Sequence, residues 1–315
     1  MSFQTFLRFI RIETNLASAF PAILGFLFSI YYFHEFSWKV SILYFIALML
    51  VAAFVTGWNN VMDFRLAKDE EYRDKHNLLS TEHISQKLAF TVLGVMISVA
   101  LIIGIALIFM TNLLLLPIGG VCVLVTIFYT FSPFAFSRMP LGELLAGFVE
   151  GLGAFFLAVF VNTWDKEFMV LDVDWSTWNY SLHGNILLFI TVILSGIACV
   201  VFNFNIMLAD NICDLDQDVK NERYTLPYYL GKKNALKLFH FMYWLPYCTV
   251  TLSVILGFLP LTALIVWLTV PLIKKNVDIF SKEQIKSKTF IRAIQNLQIF
   301  EGAWIIGMLL GIIFM

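Results

Sequence analysis

The sequence predicts an all-α, polytopic membrane protein, and three observations predict it. Hydrophobic residues make up 60% of the 315 and charged residues only 14%, with a mean hydropathy of +0.82. So few polar groups cannot cover the surface of a soluble domain. The apolar residues are gathered in runs that suit a bilayer core of roughly 30 Å, which takes about 20 residues of helix. Those runs also lack the alternation of barrel strands. Because an unpaired backbone group in lipid is costly, helices are the remaining solution.

Nine runs of this kind occur, at residues 16–33, 41–62, 88–110, 113–131, 141–161, 186–208, 238–256, 258–273 and 291–314. The first follows Arg8 and Arg11 but has no small-residue cleavage site behind it, so it reads as a span and not as a leader. The seventh and eighth are separated by Gly257-Phe258-Leu259-Pro260, the signature of a tight helical hairpin. No long hydrophilic insertion divides the chain, and residues 1–315 read as a single domain. Cys122, Cys199, Cys213 and Cys248 show no C-x-x-C spacing and fall in or beside apolar runs, which points to packing. A net charge of −1 argues against a nucleic-acid partner.

The cations are distributed by side of the membrane. With the N-terminus cytoplasmic, every Lys and Arg except Lys39 and Lys166 falls at a cytoplasmic end or connection. The expected location is therefore the cell membrane, with N-terminus and charged loops inside. In the outside loop 162–185, Trp175, Trp178 and Tyr180 read as interface aromatics.

Two stretches stand out on the cytoplasmic side. The first holds Asn59, Asn60, Asp63 and Asp69, with Arg73 and Lys75 behind them; the second holds Asp210, Asn211, Asp214, Asp216 and Asp218, with Lys220 and Arg223 behind. On a helix Asn59 and Asp63 share a face, as do Asp210, Asp214 and Asp218, while Asp216 points away. Singly, each stretch reads as solvated charge at a helix end. Their recurrence on one side, each with Asn before Asp and cations after, reads as two halves of one site. Like charges at this spacing repel unless neutralised, and Mg²⁺ is usually held by one or two carboxylates together with phosphate oxygens. The cations then suit a diphosphate.

A diphosphate at a membrane surface, with its chain among the helices, implies a polyprenyl diphosphate in contact with the lipid bilayer. Its chemistry is loss of diphosphate from an allylic carbon, with the developing charge stabilised electrostatically and the cation kept from water by an aromatic-rich interior. A cation-coupled transporter would instead carry its acids near the bilayer midplane. Asp63, Asp214 and Asp218 are the first candidates for catalysis through the metal, with Asn59, Asn211 and Asp69 as further ligands. Lys75, Arg73, Arg223 and Lys220 are candidate diphosphate contacts, and Tyr129 a candidate substrate contact. Glu150 and Glu301 should face the bundle interior, whereas Glu143 lies close enough to the cytoplasmic end to reach water.

These residues resemble the UbiA superfamily of intramembrane aromatic prenyltransferases. The first family motif appears as Asn59-Asn60-Val61-Met62-Asp63 with Asp69 six residues on, and the second as Asn211-Ile212-Cys213-Asp214 with Asp218. Within the superfamily several features are most similar to 1,4-dihydroxy-2-naphthoate polyprenyltransferases of menaquinone synthesis. They are the step from Asp63 to Asp69, the segment 80–85, Arg223-x-Thr225-Leu226 with Leu230-Gly231, and Tyr129-Thr130-Phe131-Ser132-Pro133 with Gly142-Glu143. The resemblance implies a ring of nine transmembrane helices with cytoplasmic Asp-rich loops. It also implies Mg²⁺-dependent transfer of a polyprenyl chain to an aromatic acceptor, giving a demethylmenaquinone from 1,4-dihydroxy-2-naphthoate; 4-hydroxybenzoate or another aromatic is the alternative. Two positions depart from the pattern. Asn60 stands where the motif usually has a second Asp, so Asn60→Asp is expected to be tolerated, and Glu82-His83 stands where the menaquinone enzymes usually show a small residue.

Overall fold

Among the described residues, each of the nine apolar runs contains helix. The computed structural model describes residues 1–67, 70–130, 134–166 and 168–315, with the backbone alone for Glu70, Tyr72, His76 and Thr130. Among the described residues seven helices are long and apolar enough to cross a membrane: Leu16–Phe33, Trp38–Leu66, Gln86–Met110, Gly142–Thr163, Ile186–Cys213, Lys232–Ile255 and Ile291–Ile313. Among the described residues the other two runs do not form full-length α-helical spans. The fourth gives the 16-residue helix Leu115–Thr130, about 24 Å long at 1.5 Å per residue. The eighth winds as a 3₁₀ helix, Leu261–Thr269, before widening into the α-helix Val270–Lys282.

Lipid-facing positions follow from what is left outside. Phe109, Ile255, Leu261 and Leu268 are each at least 74% exposed, which suits a bilayer and not water. The interior is aromatic. Phe202 and Phe300 approach to 4.7 Å between ring centroids, with Tyr247, Phe239 and Trp304 buried around them. A second apolar cluster, containing Phe9, Phe54, Val61, Leu79 and Leu93, fastens the N-terminal helix Phe3–Phe9 to Trp38–Leu66.

Close helix approach positions the site. Gly147 and Gly151 lie one turn apart in a π-helical stretch, Gly147–Gly153, and lean on the backbone of Ile186–Cys213. A Cβ on Gly151 would stand 2.4 Å from the Cys199 carbonyl oxygen, and one on Gly147 would stand 2.7 Å from that of Val200. Small residues at this spacing are what allow two membrane helices to touch backbone to backbone. The contact carries Glu143, one turn before Gly147, against Asn211 near the far end of the neighbouring helix.

The opposite end of that helix departs from expectation. In place of a plain loop with interface aromatics over residues 162–185, Met169–Asp174 and Asn179–Gly184 pair as an antiparallel β-hairpin. Its turn is fixed by Asp174, whose Oδ1 accepts from the Ser176 N–H at 2.9 Å, and Trp178 takes a left-handed conformation at φ 58°. Nearby, Asn162 Oδ1 accepts from the Ser37 N–H at 2.8 Å, and Lys166 pairs with Glu35 at 2.6 Å.

Candidate active site

The first acidic stretch does not begin after a helix. Trp38–Leu66 continues past Met62, so Asn59, Asn60 and Asp63 sit on its last turns. Asn60 is 5% exposed, and both ends of its amide are used. Its Nδ2 donates to the Phe9 carbonyl at 2.8 Å, its Oδ1 accepts from Arg11 Nη2 at 3.1 Å, and its backbone carbonyl accepts from Asn77 Nδ2 at 3.0 Å. Asn60 thus has a bonding task at the place where the motif usually has a second Asp. It ties the N-terminal arm to the helix, and an Asp there could accept from Arg11 but could not donate to Phe9. Glu82 has a similar task, accepting from Arg8 in an ion pair and from Thr5 Oγ1 at 3.3 Å.

The second stretch is broken where a continuous helix was expected. Ile186–Cys213 ends, Asp214 adopts φ −94° and ψ 3°, and a short helix, Leu215–Lys220, follows. Asp214 N–H still donates to the Asp210 carbonyl at 3.0 Å and Asp218 N–H to that of Asp214 at 2.7 Å. The helical spacing of the three acids therefore survives the break. Asp216 is exposed, as its place off their shared face requires.

One side chain joins the two stretches. Arg223 Nε lies 3.3 Å from Asp218 Oδ1, and its Nη1 lies 3.9 Å from Asp63 Oδ1. A third element contributes Lys286, whose Nζ lies 2.9 Å from Asp210 Oδ1 and also pairs with Asp214. All of these but Asp210 border a cavity of about 560 Å³, whose described lining includes Asp63, Arg73, Asp214, Asp218, Arg223 and Lys286. Burial pushes the Asp218 carboxyl up to about 7, against the downward pull of Arg223 and with Asp214 and Asp210 adding to the rise. Asp214 is likewise raised, by burial first, against the pull of Lys286. For Lys286 burial acts downward, but Asp210 and Asp214 outweigh it and hold the ammonium above its usual range.

The cavity's chemistry fits a hard divalent cation. Asp218 is buried with Oδ2 lacking a hydrogen-bond partner, and Asp63 is half-exposed on the same cavity. Carboxylate oxygens without a soft ligand are the donor set of Mg²⁺, which leaves its remaining positions to water and phosphate. Among the described residues no three of His, Cys, Asp and Glu gather closely enough to form a metal cage alone. Asp69 lies outside the described residues.

Other candidates from the sequence fall behind or beside the cavity. Asn211 is buried, and its Nδ2 donates to Glu143 Oε1 at 2.7 Å. Glu143 does not reach water: it is fully buried, also accepts the Leu226 N–H at 3.2 Å, and so braces the second stretch from beneath. Tyr129 is buried with its hydroxyl unpartnered. Lys75 turns to Glu71 at 2.6 Å, Lys220 is exposed, and neither they nor Asn59, Asn211 and Tyr129 belong to the cavity's described lining. Arg8, Arg11, Arg138 and Lys286 do line it. In the sequence these four register only as charges that set topology; no local pattern around Lys286 connects it to an acid 72 residues away. Glu301 is fully buried, in keeping with an interior-facing carboxyl.

The UbiA prenyltransferase family is matched over residues 18–294. The chain belongs to this family. It is accordingly a multi-pass membrane prenyltransferase. Solved structures agree on the fold. A UbiA homolog from Aeropyrum pernix K1 in its apo form superposes with a TM-score of 0.66 at 18% identity, covering 94% of this chain and 98% of its own. A structure described under the biosynthesis of digeranylgeranylglyceryl phosphate synthase in membranes gives 0.62 at 18% identity, covering 99% of each chain. A UbiA homolog from Archaeoglobus fulgidus bound to GPP and Mg²⁺ gives 0.61 at 14% identity, covering 98% of this chain and 99% of that one. No curated protein sequence matches the chain.

Proposed function

We propose that this prenyltransferase moves a polyprenyl chain from its diphosphate to a ring carbon of 1,4-dihydroxy-2-naphthoate, with Mg²⁺, on the cytoplasmic side of the cell membrane. The observation that carries the reading is Arg223, which draws Asp63 and Asp218 from distant regions of the sequence onto one cavity. Mg²⁺ bound there would neutralise diphosphate charge and stabilise the leaving group. Asp63, Asp214 and Asp218 would hold it, with Asp69 as a further ligand, and Arg223 and Arg73 would meet diphosphate oxygens. When the allylic C–O bond breaks, its electron pair leaves with the diphosphate, and these fixed charges need no reorganisation to receive it.

The remaining work is exclusion of water. Phe and Tyr side chains among the helices suit an allylic cation, and the acceptor ring must reach it before solvent does. The acceptor assignment rests on the segments that follow the acids, including Arg223-x-Thr225-Leu226 and Gly142-Glu143. By that resemblance the ring loses its carboxylate and the product is a demethylmenaquinone. The A. fulgidus homolog with GPP and Mg²⁺ supports the donor class.

The test is product mass from purified protein with Mg²⁺, a polyprenyl diphosphate and one acceptor per tube. A prenylated, decarboxylated product from 1,4-dihydroxy-2-naphthoate is expected, and EDTA should abolish it. Product only from 4-hydroxybenzoate or a glyceryl phosphate would overturn the acceptor, and turnover without divalent metal would overturn the mechanism.

A further inference from the structure

Lys286 occupies an unexpected place for a cation. It comes from the connection between Val270–Lys282 and Ile291–Ile313, far from both acidic stretches in sequence, and its ammonium is shared between Asp210 and Asp214. Two carboxylates one helical turn apart, both partly buried, would repel each other without such a partner. Asp214 is therefore asked to serve two cations. A divalent ion that takes up the Asp214 carboxylate while an ammonium stays in contact with Oδ2 would stand a few ångströms from that ammonium, and the two positive charges would repel each other. The Lys286 side chain has room to move, being 41% exposed and lining the cavity beside Ser287. A lysine is a point charge on a flexible four-carbon stem with three rotatable donors, able to change partners where a planar guanidinium would be held by its fork.

Resting on the proposed function, we infer that Lys286 is a displaceable counter-ion: it holds Asp214 closed to metal in the unliganded protein and passes to the diphosphate when metal and diphosphate arrive. Asp210 keeps the ammonium at the cavity throughout. Metal entry at Asp214 is then coupled to diphosphate entry, because the diphosphate supplies the anionic oxygens that receive the displaced ammonium. Lys286 is in this sense both a positioning residue for Asp214 and a ligand of the leaving group. The coupling has a signature that a merely structural lysine lacks: removing the charge strengthens binding of metal alone and weakens binding of diphosphate.

The test measures Mn²⁺ affinity by electron paramagnetic resonance on the detergent-solubilised full chain, with and without geranyl thiolodiphosphate, a slowly reacting donor. For Mn²⁺ alone, Lys286→Met is expected to bind at least tenfold more tightly than the unaltered protein, and Lys286→Arg no more tightly. With Mn²⁺ present, Lys286→Met should hold the thiolodiphosphate about tenfold more weakly. Equal Mn²⁺ affinity in the unaltered protein and Lys286→Met overturns the inference, as does tighter binding in Lys286→Arg. Should Lys286→Met leave Asp210 stranded and unfold, the pair Asp210→Asn with Lys286→Met removes the stranded charge and carries the same expectation. Failure of the metal site itself looks different: Mn²⁺ would not bind in any variant even with thiolodiphosphate, or would bind equally well after Asp218→Asn.

Discussion

Asp218 is the residue whose surroundings translate most directly into behaviour. Its carboxyl is raised to about 7 by burial, despite Arg223 at 3.3 Å. An acid whose folded value lies above its unfolded one, near 4, binds more protons when folded, so stability falls as pH rises between the two values. Metal-free protein is expected to lose thermal stability from about pH 4 to about pH 7 and to level off above. Asp218→Asn should flatten that slope, and a slope unchanged by the substitution would assign it to another group. Mg²⁺ should act in the opposite sense, restoring stability most strongly above pH 7, because metal and proton compete for the same oxygens. The place of Asp218 on one cavity with Asp63, Asp214, Arg73 and Arg223 was legible in the sequence, because acids at helical spacing followed by cations form a local pattern. The bonding of Asn60 was not legible for the same reason. A local pattern shows an amide beside an acid, but not that the Phe9 carbonyl and Arg11 close over it. Arg11 and Lys286 were missed because nothing near them in sequence distinguishes a site cation from a topology cation.

At the scale of the element, the helices were legible because lipid leaves the backbone no alternative. Their irregularities were not. The break at Asp214, the π-helical turn at Gly147–Gly153 and the 3₁₀ helix Leu261–Thr269 are set by what packs against each element. The β-hairpin escaped because its aromatic residues fit a membrane interface equally well as a loop or as strands. Gly151 shows how an irregular element serves the site. With 2.4 Å available between its would-be Cβ and the Cys199 oxygen, any side chain must push the paired backbones away from each other. Gly151→Leu is expected to destabilise the protein by about 1–3 kcal/mol, the usual cost of overpacking a close contact. It should also reduce activity, because Glu143 rides on the same helix and holds Asn211 and the Leu226 N–H. Thermal melting and initial rate check this together. Full activity with unchanged melting would show that the helices separate freely and that Glu143 does not depend on their contact.

At the scale of the whole molecule the question is on which side of the membrane the cavity opens. Asp63 and Asp218 meet through Arg223, so the two acidic stretches share one end of the bundle whatever its orientation. The β-hairpin and the Lys166–Glu35 pair belong to the other end, because Asn185 and Asp214 cap opposite ends of Ile186–Cys213. That helix is about 42 Å long at 1.5 Å per residue, enough to cross the hydrocarbon core with both ends in water. The bundle thus has a cation-rich end and a cation-poor end, and we propose from the positive-inside rule that the former faces the cytoplasm. Single cysteines at Lys75, Lys220 and Lys282, in a background without the natural four, are expected to react with a membrane-impermeant maleimide only after the cytoplasmic face is opened. A cysteine at Lys166 should react in intact cells. Labelling of Lys75 and Lys220 from opposite sides would contradict the shared cavity itself, whereas uniform reversal of all four would leave the cavity intact and place it outside. The second result would also move the reaction away from a cytoplasmic supply of polyprenyl diphosphate, so the orientation bears on function as much as on topology.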